Sequence, residues 1–299
     1  MTRMVRFPSS HSPATSATPA SSDEGQFSSV CRRTKRWKNA LARGGAGAYL
    51  VGRRGTHAGR APPIHPQTPM KPPQAILFDA GNTLVWLDHP FLVTLLAEHG
   101  IHTTVDELLA AEHEAKLALD ELMRTGRAGN DESRGKLLFA EIFRRVGVTD
   151  EQFPPLAKKL WARHAESHLW KNVREHTVEA LEELRRRGYR LGVISNAGGR
   201  VEALLDSVGL AAPFEFIIDS HTVGVEKPDP RIFRLGAERM GLDPSDVAYV
   251  GDIYEIDVRG ARAAGMRPIL IDPLWRFNDA DCERIRAIHD LLDLMPGAA

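Results

Sequence analysis

The sequence of 299 residues has only two cysteines, Cys31 and Cys282, and they share no spacing with a metal or redox motif. Neither a disulfide framework nor a zinc site is expected, and a reducing cytoplasm is the expected compartment. No apolar run approaches the roughly eighteen residues that a membrane span requires, and no apolar signal-peptide core follows Met1. The sequence therefore predicts a soluble, cytoplasmic protein with no membrane partner.

Net charge is also absent, because 39 Lys and Arg balance 39 Asp and Glu. Such a balance predicts no attraction to nucleic acids. The charges are nevertheless unevenly distributed, since residues 1–70 contain 11 Lys and Arg but only two acidic residues. Residues 1–72 are rich in Ser, Pro, Gly and Arg and lack helical or strand periodicity, which is typical of a disordered tail.

Three interpretations of this basic tail are open. It could be an organelle-targeting peptide, because it is rich in Arg and Ser and poor in acidic residues. It could be a nucleic-acid-binding arm around residues 32–38. We favour a third interpretation, in which translation begins at Met70 and the tail is not native coding sequence, because Met70 leads directly into the first predicted strand.

Short apolar runs of strand length alternate with helical stretches beyond residue 74. The runs are residues 75–78, 191–194, 216–218, 247–250 and 269–271. Strands that alternate with helices in this way predict an α/β fold with a Rossmann-like parallel sheet, buried on both faces.

One long interval interrupts the alternation. Between residues 90 and 170 the sequence predicts amphipathic helices and no strand. These helices are expected at roughly 90–99, 104–125, 132–146 and 150–169. We therefore interpret residues 90–170 as an inserted helical domain and residues 73–89 and 171–299 as the α/β core.

Four polar motifs follow one another along the core. They are Phe78-Asp79-Ala80-Gly81-Asn82-Thr83, Ile194-Ser195-Asn196-Ala197, Lys227-Pro228-Asp229-Pro230, and Gly251-Asp252 followed by Asp257. Each alone has an ordinary explanation as a turn or a helix cap. Together they supply a carboxylate nucleophile, a hydroxyl and amides for phosphate oxygens, a lysine and two further carboxylates. Because ligands of parallel sheets bind at the carboxyl ends of strands, this order indicates a phosphoryl-transfer site.

From about Ala75 to Pro273 the sequence resembles hydrolases of the haloacid dehalogenase-like (HAD) superfamily, with the helical insert in the position of that family's cap domain. The resemblance implies that Asp79 is the nucleophile, and that Ser195 and Lys227 hold the phosphoryl oxygens. It therefore implies a phosphatase acting on a small phosphorylated metabolite through an aspartyl phosphate. A monomer or homodimer is expected.

The resemblance also implies a Mg²⁺ ion held by Asp79, the carbonyl of Gly81 and Asp252. Asp257 would not bind the ion directly but would fix Lys227 or a metal-bound water. Substrate contacts are expected from four residues of the first two motifs. They are Asn82, Thr83, Asn196 and Ala197.

The sequence departs from the family pattern at Gly81, where phosphatases of this superfamily usually carry a second Asp. That Asp protonates the leaving group, and general acid–base help contributes roughly 10²–10⁴-fold. We therefore expect slow turnover, or an acid borrowed from the cap or from Asp88 and His89.

Three alternatives to a phosphatase are open. Haloacid dehalogenases also lack the second Asp, but they lose the metal-binding acid that Asp252 retains. Phosphonate-cleaving relatives combine a small residue at the Gly81 position with a cap lysine that forms a Schiff base. Lys116 and Lys136 are candidates, although surface exposure is the expected state of both. The third alternative is a catalytically impaired protein that binds a phosphorylated ligand.

Several other residues are interpreted structurally. His164 and His168 lie four apart on a predicted helix with no third ligand, which favours packing or a surface position over a metal site. Trp161 and Trp170 are expected in the core of the insert or at its hinge. His221 and Glu226 precede Lys227 and are placed only provisionally near the site.

Overall fold

The computed structural model describes residues 72–297, so the predictions for the basic tail lie outside the described residues, apart from Pro72. Eight strands are present in this range: β1 (Ala75–Phe78), β2 (Trp86–Leu87), β3 (Trp170–Asn172), β4 (Arg190–Ser195), β5 (Ile217–Asp219), β6 (Val247–Gly251), β7 (Arg267–Ile271) and β8 (Glu283–Ile285). Six of them form a parallel sheet in the order β5-β4-β1-β6-β7-β8. The predicted parallel α/β fold is confirmed.

The central strand β1 is buried along its whole length. Ile76 and Phe78 belong to one hydrophobic cluster, whereas Ala75 and Leu77 belong to another. Successive side chains of a strand point to opposite faces, so these clusters lie on the two sides of the sheet. Burial on both faces explains why the core strands read as continuous apolar runs in the sequence.

Four helices lie between β2 and β3: α1 (His89–Ala97), α2 (Val105–Arg124), α3 (Asp131–Arg145) and α4 (Phe153–Ser167). They are the helices expected between residues 90 and 170, and they share a third hydrophobic cluster that includes Phe139 and Phe143. Helix α2 begins with a capping box, in which Thr104 Oγ1 accepts the amide of Glu107 at 3.2 Å and Glu107 Oε2 accepts the amide of Thr104 at 2.9 Å.

The remaining helices lie between or after the strands of the core: α5 (Thr177–Arg186), α6 (Val201–Ser207), α7 (Ser220–Val223), α8 (Pro230–Met240), α9 (Arg259–Ala264) and α10 (Leu291–Leu294). Asp229 caps α8 by accepting the amide of Arg231. A π-helical turn, Tyr254–Val258, precedes α9. Among residues 72–297, no helix has the length and apolar character needed to cross a bilayer.

Three strands are not predicted by the sequence patterns. β2 and β3 pair antiparallel where the chain enters and leaves the four helices, and β8 extends the sheet at its edge. Each has only two or three residues, which is too short for a detectable alternation. The expectation that residues 90–170 contain no strand is therefore wrong at its last position, because Trp170 begins β3.

Candidate active site

The polar motifs of the core meet at the carboxyl edge of the sheet. Asp79 directly follows β1, Ser195 ends β4, and Asp252 directly follows β6. Because β1 pairs with both β4 and β6 in parallel register, these three ends are neighbours. Asp79 and Ser195 are buried.

Lys227 is a buried charge of this edge, with 2% of the residue exposed. Its Nζ donates to Asp79 Oδ1 at 2.6 Å, to Asp257 Oδ1 at 2.8 Å and to the hydroxyl of Tyr249 at 2.9 Å. All three donors of the ammonium are therefore used, which fixes its position without rotational freedom. Lys227 and Asp79 lie 148 residues apart in sequence.

Tyr249 is a site residue that the motif analysis did not identify. It lies inside β6, is completely buried, and donates its hydroxyl to the carbonyl of Ile194 at 3.1 Å. The available signal was a tyrosine inside a fully buried apolar run, because a buried phenol requires a polar partner.

The side chain of Asn196 fixes the backbone of Lys227. Its Nδ2 donates to the Lys227 carbonyl at 3.0 Å, and its Oδ1 accepts the Lys227 amide at 2.8 Å. The amide of Ala197 donates to Ser220 Oγ at 3.2 Å. Both polar groups that were expected to bind substrate thus have protein partners in this structure.

Asp257 joins the lysine to the loop that carries Asp252. Its Oδ2 accepts the amides of Asp252 and Ile253, each at 3.1 Å, while its Oδ1 contacts Lys227. A Cβ at Gly251 would lie only 2.3 Å from the Asp257 carboxyl carbon. Glycine is therefore required at the end of β6 for Asp257 to approach the strand.

The acidic side chains fit a divalent cation. Asp79, Asp252 and Asp257 each offer a carboxylate oxygen, and these oxygens lie within 4.8 Å of one another. Burial raises the pKa of Asp79 to about 7, although Lys227 opposes this shift, and burial also raises the pKa of Asp252. Crowded, desolvated carboxylates are stabilised by a bound cation, and oxygen ligands are those that Mg²⁺ prefers.

Lys116 of helix α2 reaches one of these carboxylates, that of Asp252. Its Nζ lies 2.8 Å from Asp252 Oδ2 and 3.0 Å from Glu112 Oε1, and its side chain is 12% exposed. Glu112 in turn contacts His89 Nε2 at 2.8 Å. The expectation of a surface position for Lys116 is wrong, because the helix faces the site and two buried carboxylates hold the ammonium.

The first motif faces an indole ring. Trp170 Nε1 donates to Asn82 Oδ1 at 3.1 Å, and a Cβ at Gly81 would lie 3.6 Å from Trp170 Nε1. Thr83 is completely buried and does not line the cavity described below, whereas Asn82 does. The indole of Trp170 therefore borders the position that a second Asp would occupy.

A cavity of about 900 Å³ lies between the helices α2–α4 and the sheet edge. Its core side includes Asp79, Gly81, Asn82, Ser195, Asn196, Ala197, Lys227, Asp252 and Asp257, and its helical side includes Arg134, Lys136, Trp161, His164, His168 and Trp170. His221 and Glu226 also line it. Asp88 and His89 do not; Asp88 pairs with Lys171 at 2.8 Å.

His164 and His168 form part of the wall of this cavity. Burial lowers the pKa of both, that of His168 to about 4, and the charge of Arg200 adds to each effect. Their Nδ1 atoms accept the amides of Leu169 and Trp170, each at 3.4 Å. Both imidazoles are therefore neutral near pH 7 and present Nε2–H as a donor.

Several polar contacts join the helices to the core. Arg134 Nη2 contacts Glu226 Oε2 at 3.1 Å. Arg200 donates to the carbonyl of Ala165 at 3.0 Å, near the end of α4. The amide of Glu255 donates to Asp120 Oδ1 at 2.9 Å.

The family model for haloacid dehalogenase-like hydrolases matches residues 73–265. The chain belongs to this family. It is therefore a hydrolase, and the resemblance of the four motifs to this superfamily is confirmed. The match contains the first motif, which includes Asp79, and extends beyond Asp257.

Individual relatives of this hydrolase carry hydrolase or phosphatase names. It is 32% identical over 203 residues to haloacid dehalogenase-like hydrolase domain-containing protein 3 of Bos taurus, covering 66% of this chain and 80% of that protein. It is 31% identical over 206 residues to glyceraldehyde 3-phosphate phosphatase of Methanopyrus kandleri, covering 66% of this chain and 83% of that protein. The magnesium-bound putative HAD-hydrolase YfnB of Bacillus subtilis has the same fold, with a TM-score of 0.57 at 21% identity over 75% of this chain and 99% of that one.

Proposed function

We propose that this hydrolase is a Mg²⁺-dependent phosphatase of a small phosphorylated metabolite, with residues 90–170 as its cap. The observation that carries the proposal is the contact of Lys227 Nζ with Asp79 Oδ1, at 2.6 Å beside the acidic side chains of Asp252 and Asp257. A lysine and a cation offset the negative charge of a carboxylate, so that it can approach an anionic phosphate and attack phosphorus. The phosphatase names of relatives such as the Methanopyrus protein support the same reaction class.

The proposed reaction has two steps at Asp79. A carboxylate oxygen of Asp79 attacks phosphorus, the bond from phosphorus to the leaving oxygen breaks, and an aspartyl phosphate forms. Water then cleaves that phosphate from Asp79. Ser195 and Lys227 hold the phosphoryl oxygens in both steps, which stabilises the charge that accumulates on them. Lys227 does so by exchanging one of its three hydrogen bonds for one to a phosphoryl oxygen.

The cation would be held by Asp79, the Gly81 carbonyl and Asp252, with Asp257 positioning Lys227 and the loop of Asp252. When bound, Mg²⁺ supplies charge that offsets the phosphoryl oxygens and the carboxylates. Gly81 has no proton to give to the leaving oxygen, so we propose slow turnover of ordinary alkyl phosphates and faster turnover where the leaving group is a good one.

A phosphonate-cleaving reaction through Lys116 receives less support from the contacts of that lysine. A Schiff base requires a neutral amine, which a lysine supplies when its pKa is lowered. Burial lowers the pKa of Lys116, but the carboxylates of Asp252 and Glu112 outweigh burial and raise it. The retained Asp252 likewise favours phosphorus chemistry over dehalogenation.

The test is phosphate release by the full chain from glyceraldehyde 3-phosphate, phosphoserine and an aryl phosphate, with a phosphonate and a haloacid as competing classes. Release should require Mg²⁺, stop on chelation, and be abolished in Asp79→Asn. Asp88→Asn is the matched control, because its carboxylate follows β2 but does not line the cavity. Tight Mg²⁺-dependent binding of these esters without any release would instead support a phospholigand-binding protein.

A further inference from the structure

Lys116 is a charged group of the cap helices that the proposed reaction does not use. It extends from the middle of α2 to the carboxylates of Asp252 and Glu112, whose side chains are 5% and 3% exposed. The ammonium thus lies beside the carboxylate that the proposed function assigns to Mg²⁺.

The way in which Lys116 is held differs from that of Lys227. Asp252 Oδ2 and Glu112 Oε1 are buried oxygens with no aligned hydrogen-bond donor in the described part of the chain, even though Lys116 Nζ lies within 3.0 Å of both. Lys227, in contrast, donates three aligned hydrogen bonds. Charge rather than directed bonding therefore holds Lys116 beside Asp252, and a divalent ion attracts the same carboxylate with twice that charge.

The formal charges of the acidic and basic side chains around Lys116 and Lys227 also favour a divalent ion. Four carboxylates, those of Asp79, Glu112, Asp252 and Asp257, surround the two ammonium groups of Lys116 and Lys227. With all six groups ionised, the formal charge is −2, which one divalent cation neutralises. Without Lys116 the charge would be −3.

We infer that Lys116 is an internal counter-cation of the metal site, which competes with the metal for Asp252 and thereby weakens cation binding. The inference rests on the proposed function, because it assigns Asp252 to the cation. In the metal-free protein the ammonium compensates a buried carboxylate that would otherwise be unpaired. When the cation binds, Lys116 keeps Glu112 as its partner and gives up part of its contact with Asp252.

The test is calorimetric titration of the full chain with Mg²⁺ at a fixed pH of 7.5, which needs no substrate. Lys116→Met should bind Mg²⁺ at least roughly tenfold more tightly than the unchanged protein, the scale of repulsion between a monovalent and a divalent charge a few ångströms apart in a water-like dielectric. The gain should be larger for a trivalent lanthanide ion than for Mg²⁺. Lys159→Met is the control, because Lys159 lies on a neighbouring cap helix and pairs only with exposed Glu98 among the described residues.

A second variant covers the case in which Lys116→Met does not fold because Glu112 keeps only its contact with His89. Glu112→Gln combined with Lys116→Met keeps the formal charge of the group at −2 and removes only the competing ammonium. It should also bind Mg²⁺ more tightly than the unchanged protein, and Mg²⁺ should raise its Tm by a larger amount.

The outcomes separate the inference from the proposed function. If the unchanged protein binds Mg²⁺ and the folded variants bind it no more tightly, the role of Lys116 is overturned. The proposal of a metal-dependent phosphatase would still stand. No binding by any of these proteins would overturn both. Binding by the variants alone would support the inference, because removal of the ammonium would then have opened the site.

Discussion

The two buried lysines of the site show how differently its two halves are built. Lys227 belongs to the core and has three aligned partners, two of which lie on or directly after core strands. Lys116 belongs to the helical insert and is held by two carboxylates without aligned hydrogen bonds. The lysine of the core half is therefore fixed by directed bonds, whereas the lysine of the cap half is held by charge.

This difference affects how well each lysine tolerates displacement of the element that carries it. Directed hydrogen bonds in a buried, low-dielectric edge specify one geometry, which a phosphoryl-transfer site requires. Ion pairs have weak angular dependence, so a helix that carries one tolerates displacement better. Changes in the core half should therefore abolish function, whereas changes in the cap half should tune binding and stability.

The largest effect is expected from Lys227→Met. The change leaves Asp79 and Asp257 buried without their common partner, which should lower the free energy of unfolding by about 3–5 kcal/mol. Phosphate release should fall roughly 10³-fold, the upper scale for loss of one donor to an oxyanion. Chemical denaturation and a phosphate assay measure the two effects.

Lys159→Met is the matched control for this variant, since an exposed ion pair contributes at most about 1 kcal/mol. Equal losses in the two variants would contradict the view that directed bonds of the core half carry the site.

The next effect is a gain of activity in Gly81→Asp. A Cβ at Gly81 would lie 3.6 Å from Trp170 Nε1, which is an ordinary van der Waals contact. The first atom of a new side chain therefore fits at this position. The new carboxyl would supply the missing proton donor and should raise the turnover of alkyl phosphates roughly 10²-fold. Aryl phosphates should gain less, because their leaving groups need less protonation.

Gly81→Asn separates acid catalysis from shape, since it adds a similar side chain without a titratable group. If Asn matched Asp, or if neither changed the rate, the missing acid would not be what limits turnover.

The sequence predicts the core half of the site much better than the cap half. Asp79 and Ser195 directly follow apolar runs and Asp252 comes one residue later, and parallel pairing places the ends of such runs at one edge. Asp257 is found by its spacing from Asp252 and by the resemblance. In each case a local pattern is sufficient, because the sheet converts order along the chain into neighbourhood in space.

Lys116 could not be placed in this way. A lysine on an amphipathic helix is usually exposed, and only the docking of α2 against the turn Tyr254–Val258 brings it to Asp252. His164 and His168 follow the same rule, since their helical spacing is compatible with packing, exposure or a cavity wall. Tyr249 was missed for the opposite reason, because it lies inside an apolar strand, where the phenol itself is the one sign of a polar role.

A smaller, pH-dependent effect is expected where the insert meets the core at Asp120. Burial raises the pKa of this carboxyl to about 7, and the amide of Glu255 only partly opposes the shift. The folded protein therefore binds the proton more tightly than the unfolded chain does, so this contribution to stability is present at low pH and is lost as pH rises through 7. Asp120→Asn imitates the protonated form.

This variant should be more stable than the unchanged protein by about 2 kcal/mol at pH 8 and nearly equal to it at pH 4. Urea denaturation at the two pH values measures the difference. A variant that was less stable at pH 8 would show that the ionised carboxylate strengthens this contact, contrary to the view that burial dominates it.

The smallest effect concerns His168, which ends α4 with φ 58° and ψ 144°. Residues other than glycine rarely adopt this backbone conformation, because it costs them of order 1 kcal/mol or more. Comparison of His168→Gly with His168→Ala cancels the loss of the imidazole, so the glycine variant should be the more stable by about 1 kcal/mol. Thermal unfolding of both variants measures it. If the alanine variant were equally stable, the segment between α4 and β3 would adopt another conformation in solution, and the cap half would be less fixed than its contacts with Trp170 indicate.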